Sequence, residues 1–245
     1  MRYPCLHNVK VGSANDDLQL VEKSAAKERN GVQGVFITAE GGEGAGKSTV
    51  LPYMQERLEQ EGYEVLLTRE PGGIRISEQI RQIILHVDHQ EMDTRTEALL
   101  YAAARRQHLT EKVIPALQAG KIVLCDRFVD SSLAYQGYAR GIGVDEVYAI
   151  NQFAIESYMP DVTLFFDIDP KKGLERIVSN KEREKNRLDL EELSFHDKVY
   201  TYYQHLLEHN PERIKRIDAE ASIDQVTEDA LACVMRLLQT RRYGK

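Results

Sequence analysis

The chain has 245 residues, 42% of them hydrophobic and 29% charged, with a formal net charge of −7. A chain of this length can bury roughly 70–75% of its unfolded surface in one domain without staples, and its acidic balance gives no general attraction for nucleic acid or anionic membranes. The three cysteines, Cys5, Cys125 and Cys233, are far apart and odd in number, which argues against a disulfide framework and fits a reducing cytoplasm. No stretch approaches the ~20 apolar residues of a membrane span, and the N-terminus has no signal-peptide run.

Residues 1–33 carry polar turn residues (Asn8, Gly12, Ser13, Asn15, Asp16) and a short charged stretch, and are expected to form a mobile extension outside the catalytic domain. From 34 to about 240, strands and helices alternate. Val35–Ala39 is a short β-type run followed by a glycine-rich loop and a helix to about Glu61. Val65–Thr68 reads as a second strand, and helical periodicity runs through Ile76–Leu85 and Thr96–Gln118. Ile122–Cys125 is almost wholly apolar, as expected of a strand buried on both faces. Val162–Asp167 and Arg213–Ile217 read as further strands, and Ile223–Leu238 as a closing helix. Five strands joined by helical crossovers predict a three-layer α/β fold, a parallel sheet with helices on both faces.

Gly41-Gly42-Glu43-Gly44-Ala45-Gly46-Lys47-Ser48 matches the G-x-x-x-x-G-K-[ST] phosphate loop, and Thr49 continues it. It stands where the chemistry needs it, after a strand and before a helix. Glycines let successive backbone N–H groups point at one phosphate, and the helix adds its positive end. Lys47 can reach the β and γ phosphates, and the Ser48 hydroxyl can join a magnesium shell. Asp126, at the end of an apolar strand, is the second candidate anchor for Mg2+, through water. Pro52 removes one hydrogen bond early in the helix. The only Asn-Lys pair, Asn180-Lys181, continues as Glu182-Arg183, so the guanine-reading N-K-x-D pattern fails and ATP is the expected donor.

Four further segments set the substrate class: Thr68-Arg69-Glu70-Pro71-Gly72-Gly73, Leu99–Arg105, Asp126-Arg127-Phe128 with Ser131–Gly137, and Arg187-Leu188-Asp189. In this order and spacing, residues 34–240 resemble the thymidylate kinases, of the bacterial type with its arginine in the lid rather than in the phosphate loop. The resemblance implies the P-loop nucleoside monophosphate kinase fold, a homodimer, and transfer of the γ-phosphate of ATP to thymidine monophosphate (dTMP), a step in dTTP synthesis. It places Arg69, Arg81 and Arg127 on the acceptor phosphate, where guanidinium forks suit phosphate oxygens. It also places Tyr101 against the thymine face, and Arg105, Ser132 and Gln136 at the base edge. Glu43 would accept from the sugar 3′-hydroxyl, and Glu70 would hold a positioning role near the reacting groups. Tyr101 stands where the family usually has Phe, and Ala39 and Ala104 depart from common Phe and polar residues.

Gly44 occupies the place of the loop arginine found in some thymidylate kinases, so charge on the migrating phosphoryl is expected from a lid at about 180–190. That segment has four cations, Lys181, Arg183, Lys185 and Arg187, around the amide of Asn186, and Arg183 and Arg187 are the catalytic candidates. His196, His205 and His209 recur on one helix; without an H-E-x-x-H pattern they are expected to be a solvated face. Two other readings compete: a different nucleoside or nucleoside monophosphate kinase, and an ATP-dependent switch without an acceptor.

Overall fold

The computed structural model describes residues 34–179 and 186–243. The predicted extension 1–33, and the part of the predicted lid at 180–185 with Arg183, lie outside the described residues.

Five strands form one parallel sheet: β1 (Val35–Glu40), β2 (Val65–Arg69), β3 (Ile122–Asp126), β4 (Val162–Asp167) and β5 (Ile214–Asp218), in the order β2-β3-β1-β4-β5. The central position of β1 puts the loop that follows it at the C-terminal edge of the sheet, between the ends of β3 and β4. This is where open α/β sheets bind ligands. Alternate β1 residues serve two cores. Val35, Ile37 and Ala39 join Leu124, Leu164 and Phe166 on one face, while Phe36 joins Val123, Cys125 and Phe165 on the other.

The first face is covered by α1 (Lys47–Gln60) and α9 (Ile223–Tyr243). The second is covered by α2 (Arg75–Leu85), α3 (Thr94–His108), α4 (Ile114–Gln118), α5 (Val129–Ser132), α6 (Val144–Ile155) and α8 (Leu193–His209), mainly through α3–α6 and α8. α7 (Pro170–Ser179) follows β4.

The predicted 96–118 helix starts earlier, at Thr94, where the Asp93 carboxylate accepts from the Thr96 N–H and caps it. It is also interrupted, because Leu109–Val113 is a π-turn that carries Leu109 and Val113 into the core. A second π-turn, Leu133–Ala139, continues α5 and carries Gln136. Both turns and the four-residue α5 escape a search for 3.6-residue periodicity. The last helix runs past Leu238 to Tyr243. Pro52 sits on the exposed side of α1 and Ser48, four residues back, is exposed too, so the carbonyl freed by the missing N–H meets solvent.

The His196 expectation is corrected: its ring is buried in the α8 face that packs on the sheet, and among the described residues its Nε2 has no hydrogen-bond partner. His209 is exposed and His205 half-buried, as a helix face at the surface requires.

Candidate active site

The phosphate loop opens directly from β1, and Gly46, at φ +86, turns the chain into α1. Lys47 folds back over the loop, and its Nζ donates to the carbonyls of Gly41 and Gly42, each at 3.0 Å. Burial, and next the neighbouring Arg127 cation, lower its pKa to about 8. A phosphate anion beside Nζ would act in the opposite direction and favour the charged form. Gly44 has φ +72, and a Cβ there would lie 2.0 Å from the Gly173 carbonyl oxygen. Gly173, in the first turn of α7, would place its own Cβ 2.3 Å from the Glu43 carbonyl oxygen. The two glycines let α7 begin against the loop and leave no room for a side chain at position 44.

Arg127 follows β3 with φ 69, a conformation that costs a non-glycine residue of order 1–3 kcal/mol. Backbone bonds on both sides hold it there: its own N–H donates to the Ala39 carbonyl at 2.9 Å, and the Phe128 N–H donates to Glu40 Oε1 at 2.7 Å. Glu40 is fully buried, and its other oxygen accepts from the Ser131 and Tyr203 hydroxyls at 2.6 and 2.8 Å. Burial and the nearby Asp130 push its pKa up to about 7. The strained turn aims the Arg127 guanidinium across the loop, where it donates to the Gly41 carbonyl (3.0 Å) and Glu43 (2.7 Å) and lies over the Tyr135 ring.

The second wall comes from α3. Glu97, Tyr101, Arg105 and His108 recur at helical spacing on one face. Arg105 is buried, and four of its five N–H groups already have acceptors. Nε donates to Glu70 at 2.7 Å, Nη1 to the Ser132 hydroxyl at 2.9 Å and to Asn151, and Nη2 to the Phe128 carbonyl at 2.9 Å. One N–H remains for the cleft. Glu70 also accepts from His108 Nδ1 at 2.9 Å, and His108 Nε2 meets the Thr68 hydroxyl at 2.7 Å. Glu70 therefore holds Arg105 and His108 together at the cleft wall. Tyr101 is half-buried, and burial raises its phenol well above the usual value, keeping it neutral. The Gln136 amide donates to Glu97 at 2.7 Å.

One cleft of about 650 Å3 is lined by Glu43–Thr49, Arg69, Glu70, Arg81, Tyr101, Arg105, Asp126, Arg127, Ser132 and Gln136. Gly41 and Gly42 act through their carbonyls on Lys47. Arg69 is exposed and forks onto Glu78 at 2.8 and 3.0 Å, and Arg81 donates to the Pro71 carbonyl at 3.0 Å. The placement of Arg187 differs from the lid expectation. It is buried off the cleft wall, its Nε donating to the Ile84 carbonyl at 3.0 Å and its Nη2 to Glu97. These partners make it an anchor of the segment after residue 185. Glu97, Glu40, His108 and Asn151 are functional candidates that motif matching passed over, although Glu97 and His108 share the helical face of Tyr101 and Arg105. The far end of the cleft, at Arg176, Ala219, Ser222 and Ile223, comes from segments without any motif.

Ser48 and Asp126 fit a divalent cation. The Ser48 hydroxyl is exposed at the loop, and Asp126 Oδ1 is buried with no hydrogen-bond partner among the described residues. An acceptor atom in that state lacks a donor or a cation.

A sequence profile described as Thymidylate kinase matches residues 39–230. The chain belongs to the thymidylate kinase family. It is 62% identical over 211 residues to the thymidylate kinase of Oceanobacillus iheyensis, covering 86% of this chain and 94% of that one. It is 59% identical over 210 residues to that of a Geobacillus species, covering 86% and 100%. The crystal structure of thymidylate kinase from Ehrlichia chaffeensis superposes with a TM-score of 0.67 at 31% identity, covering 82% of this chain and 98% of that one.

Lys47 is bonded into the phosphate loop through two carbonyls, and the part expected of it in phosphoryl transfer has a direct check. Lys47→Ala should lower turnover at least 100-fold with the melting temperature nearly unchanged. Near-normal turnover of the folded variant would remove the loop from the reaction.

Proposed function

We propose that this chain transfers the γ-phosphate of ATP to dTMP, giving dTDP and ADP. The observation that carries the reading is one continuous cleft lined both by the phosphate loop with Lys47 and by Arg127, Tyr101, Arg105, Ser132 and Gln136. A switch without an acceptor has no use for that second wall.

An acceptor phosphate oxygen attacks the γ-phosphorus in line; the new O–P bond forms as the bond to the β,γ-bridging oxygen breaks. The attacking acceptor oxygen is already anionic, so no general base is needed, and the protein's task is alignment and charge. Arg69, Arg81 and Arg127 hold the acceptor phosphate, and Lys47 holds the donor's. Arg127 touches both sides, since its guanidinium already contacts the loop. Glu43, between Arg127 and Tyr135, faces the sugar. Ser48 and, through water, Asp126 would hold Mg2+, which neutralises phosphate charge when bound. The Arg176–Ile223 end takes the donor base. Because Arg187 is anchored to Glu97, the lid's contribution of positive charge rests on Arg183.

A homodimer is part of the proposal. Phe153 on α6 is 88% exposed and Leu99 on α3 is 55% exposed, and the two helices pack side by side, so their outer faces present apolar surface together. Light scattering should give twice the chain mass at working concentration; a monomer mass would contradict it.

The function is tested by an acceptor panel, ADP formation from ATP with each nucleoside and nucleoside monophosphate, in which dTMP should be preferred. Titration then locates the acceptor. Tyr101→Ala should weaken dTMP at least tenfold and ATP little, and Tyr101→Phe should be tolerated because the ring face is kept. Loss of ATP affinity with dTMP affinity intact would put the acceptor elsewhere.

A further inference from the structure

A primary amide can present either its oxygen or its N–H2 to a ligand, and which one it presents must be decided by its other neighbours. Gln136 lines the cleft but is 2% exposed, and its Nε2 donates to Glu97 Oε1 at 2.7 Å. Glu97 does not line the cleft; it is 1% exposed and lies directly behind the amide. Its second oxygen faces two guanidinium groups, Arg187 and Arg140. A carboxylate between two cations offers acceptors only, so the Gln136 amide has to turn its nitrogen toward Glu97. Its carbonyl oxygen is thereby committed to the cleft.

We infer that Glu97 is a specificity-determining positioning residue, which locks Gln136 as a hydrogen-bond acceptor and so selects bases carrying a proton on N3. The inference rests on the proposed dTMP kinase activity and deepens it. Thymine presents an N3–H donor flanked by two carbonyl oxygens. Against it stand the Gln136 carbonyl as acceptor and, as donors, the one unpaired N–H of Arg105 and the Ser132 hydroxyl, whose oxygen already accepts from Arg105. Cytosine inverts two of these groups: its N3 is a bare acceptor and its C4 substituent is an amino donor. At this edge N3 would oppose the Gln136 oxygen and the amino group would oppose Arg105. A free glutamine would turn its amide over and relieve the mismatch at N3, and Glu97 prevents that. Arg140, which also pairs with Glu191 at 2.6 Å, and Arg187, bonded to the Ile84 carbonyl, hold Glu97 in place and tie the base edge to the segment after residue 185.

The test compares kcat/KM for dTMP and for deoxycytidine monophosphate. Glu97→Gln keeps the shape but offers both a donor and an acceptor, so Gln136 can turn. The dTMP-to-dCMP ratio should fall at least tenfold, the scale expected when one buried polar contact is mismatched. The double variant Glu97→Gln with Gln136→Glu reverses the pair, returns an obligatory acceptor to the base edge, and should restore the preference; a purely structural role for Glu97 gives no such rescue. If Glu97→Gln does not fold, Gln136→Leu is the substitute, and it too should narrow the ratio at least tenfold. An unchanged ratio in either folded single variant overturns the inference. A wild-type enzyme that ignores dTMP altogether overturns the functional reading beneath it and takes this inference with it.

Discussion

A guanidinium group can be buried only if its charge and its N–H groups are matched, and most of this site follows from that constraint. Two phosphate-bearing substrates require a concentration of positive charge, and a chain of net charge −7 supplies it locally. Each cation is given an acidic or carbonyl partner that also sets its direction. Arg105 is held by Glu70, Arg127 by Glu43, Arg187 and Arg140 by Glu97, and Arg69 by Glu78. The partners differ in burial, and therefore in what they are worth. Arg69–Glu78 is exposed and contributes at most about 1 kcal/mol, so Arg69 is free to exchange Glu78 for a phosphate. Arg105–Glu70 is buried, and removing one member leaves the other uncompensated at a cost of about 3–5 kcal/mol. The exposed pair can open at little cost, and the buried pair is part of the wall.

The same distinction reassigns individual acids. Glu70 and Glu97 bond the side chains beside them: Glu70 accepts from Arg105, and Glu97 accepts from Gln136. Glu40 works through the backbone, accepting the N–H that follows the strained Arg127. Glu40 and Glu97 therefore stand behind residues that face the cleft, Glu70 shares the wall with Arg105, and these bonds are in place before any substrate arrives.

The sheet, its five strands and the phosphate loop were legible in the sequence because they rest on local patterns: apolar runs of strand length and a motif between strand and helix. Tyr101 and Arg105 came into view through the resemblance, and their four-residue spacing puts them on one helical face. Glu97 and His108 sit on that same helical stripe, at positions 97, 101, 105 and 108. They were passed over because a charged or imidazole side chain on a helix reads as solvated until its burial is known. His196 was misread for the same reason. Gly173 carries no sequence signal of its own; its need for a bare Cα arises only when α7 meets the loop at Glu43 and Gly44. The burial of Arg187 carried no sequence signal, since its neighbours Glu97 and Ile84 come from distant segments. The π-turns at Leu109–Val113 and Leu133–Ala139 break the very periodicity by which helices are found.

The central claim is that a buried carboxylate aims the base-reading arginine, and a double-mutant cycle of Glu70→Gln and Arg105→Met on dTMP affinity tests it most directly. The measurement is calorimetric titration of dTMP into the wild type, both single variants and the double variant, with melting curves to confirm folded protein. If Glu70 acts through Arg105, its loss should cost little more once Arg105 is gone, with a coupling of at least about 1.4 kcal/mol, tenfold in affinity. Additive losses would contradict the account and make Glu70 a group that meets the substrate on its own.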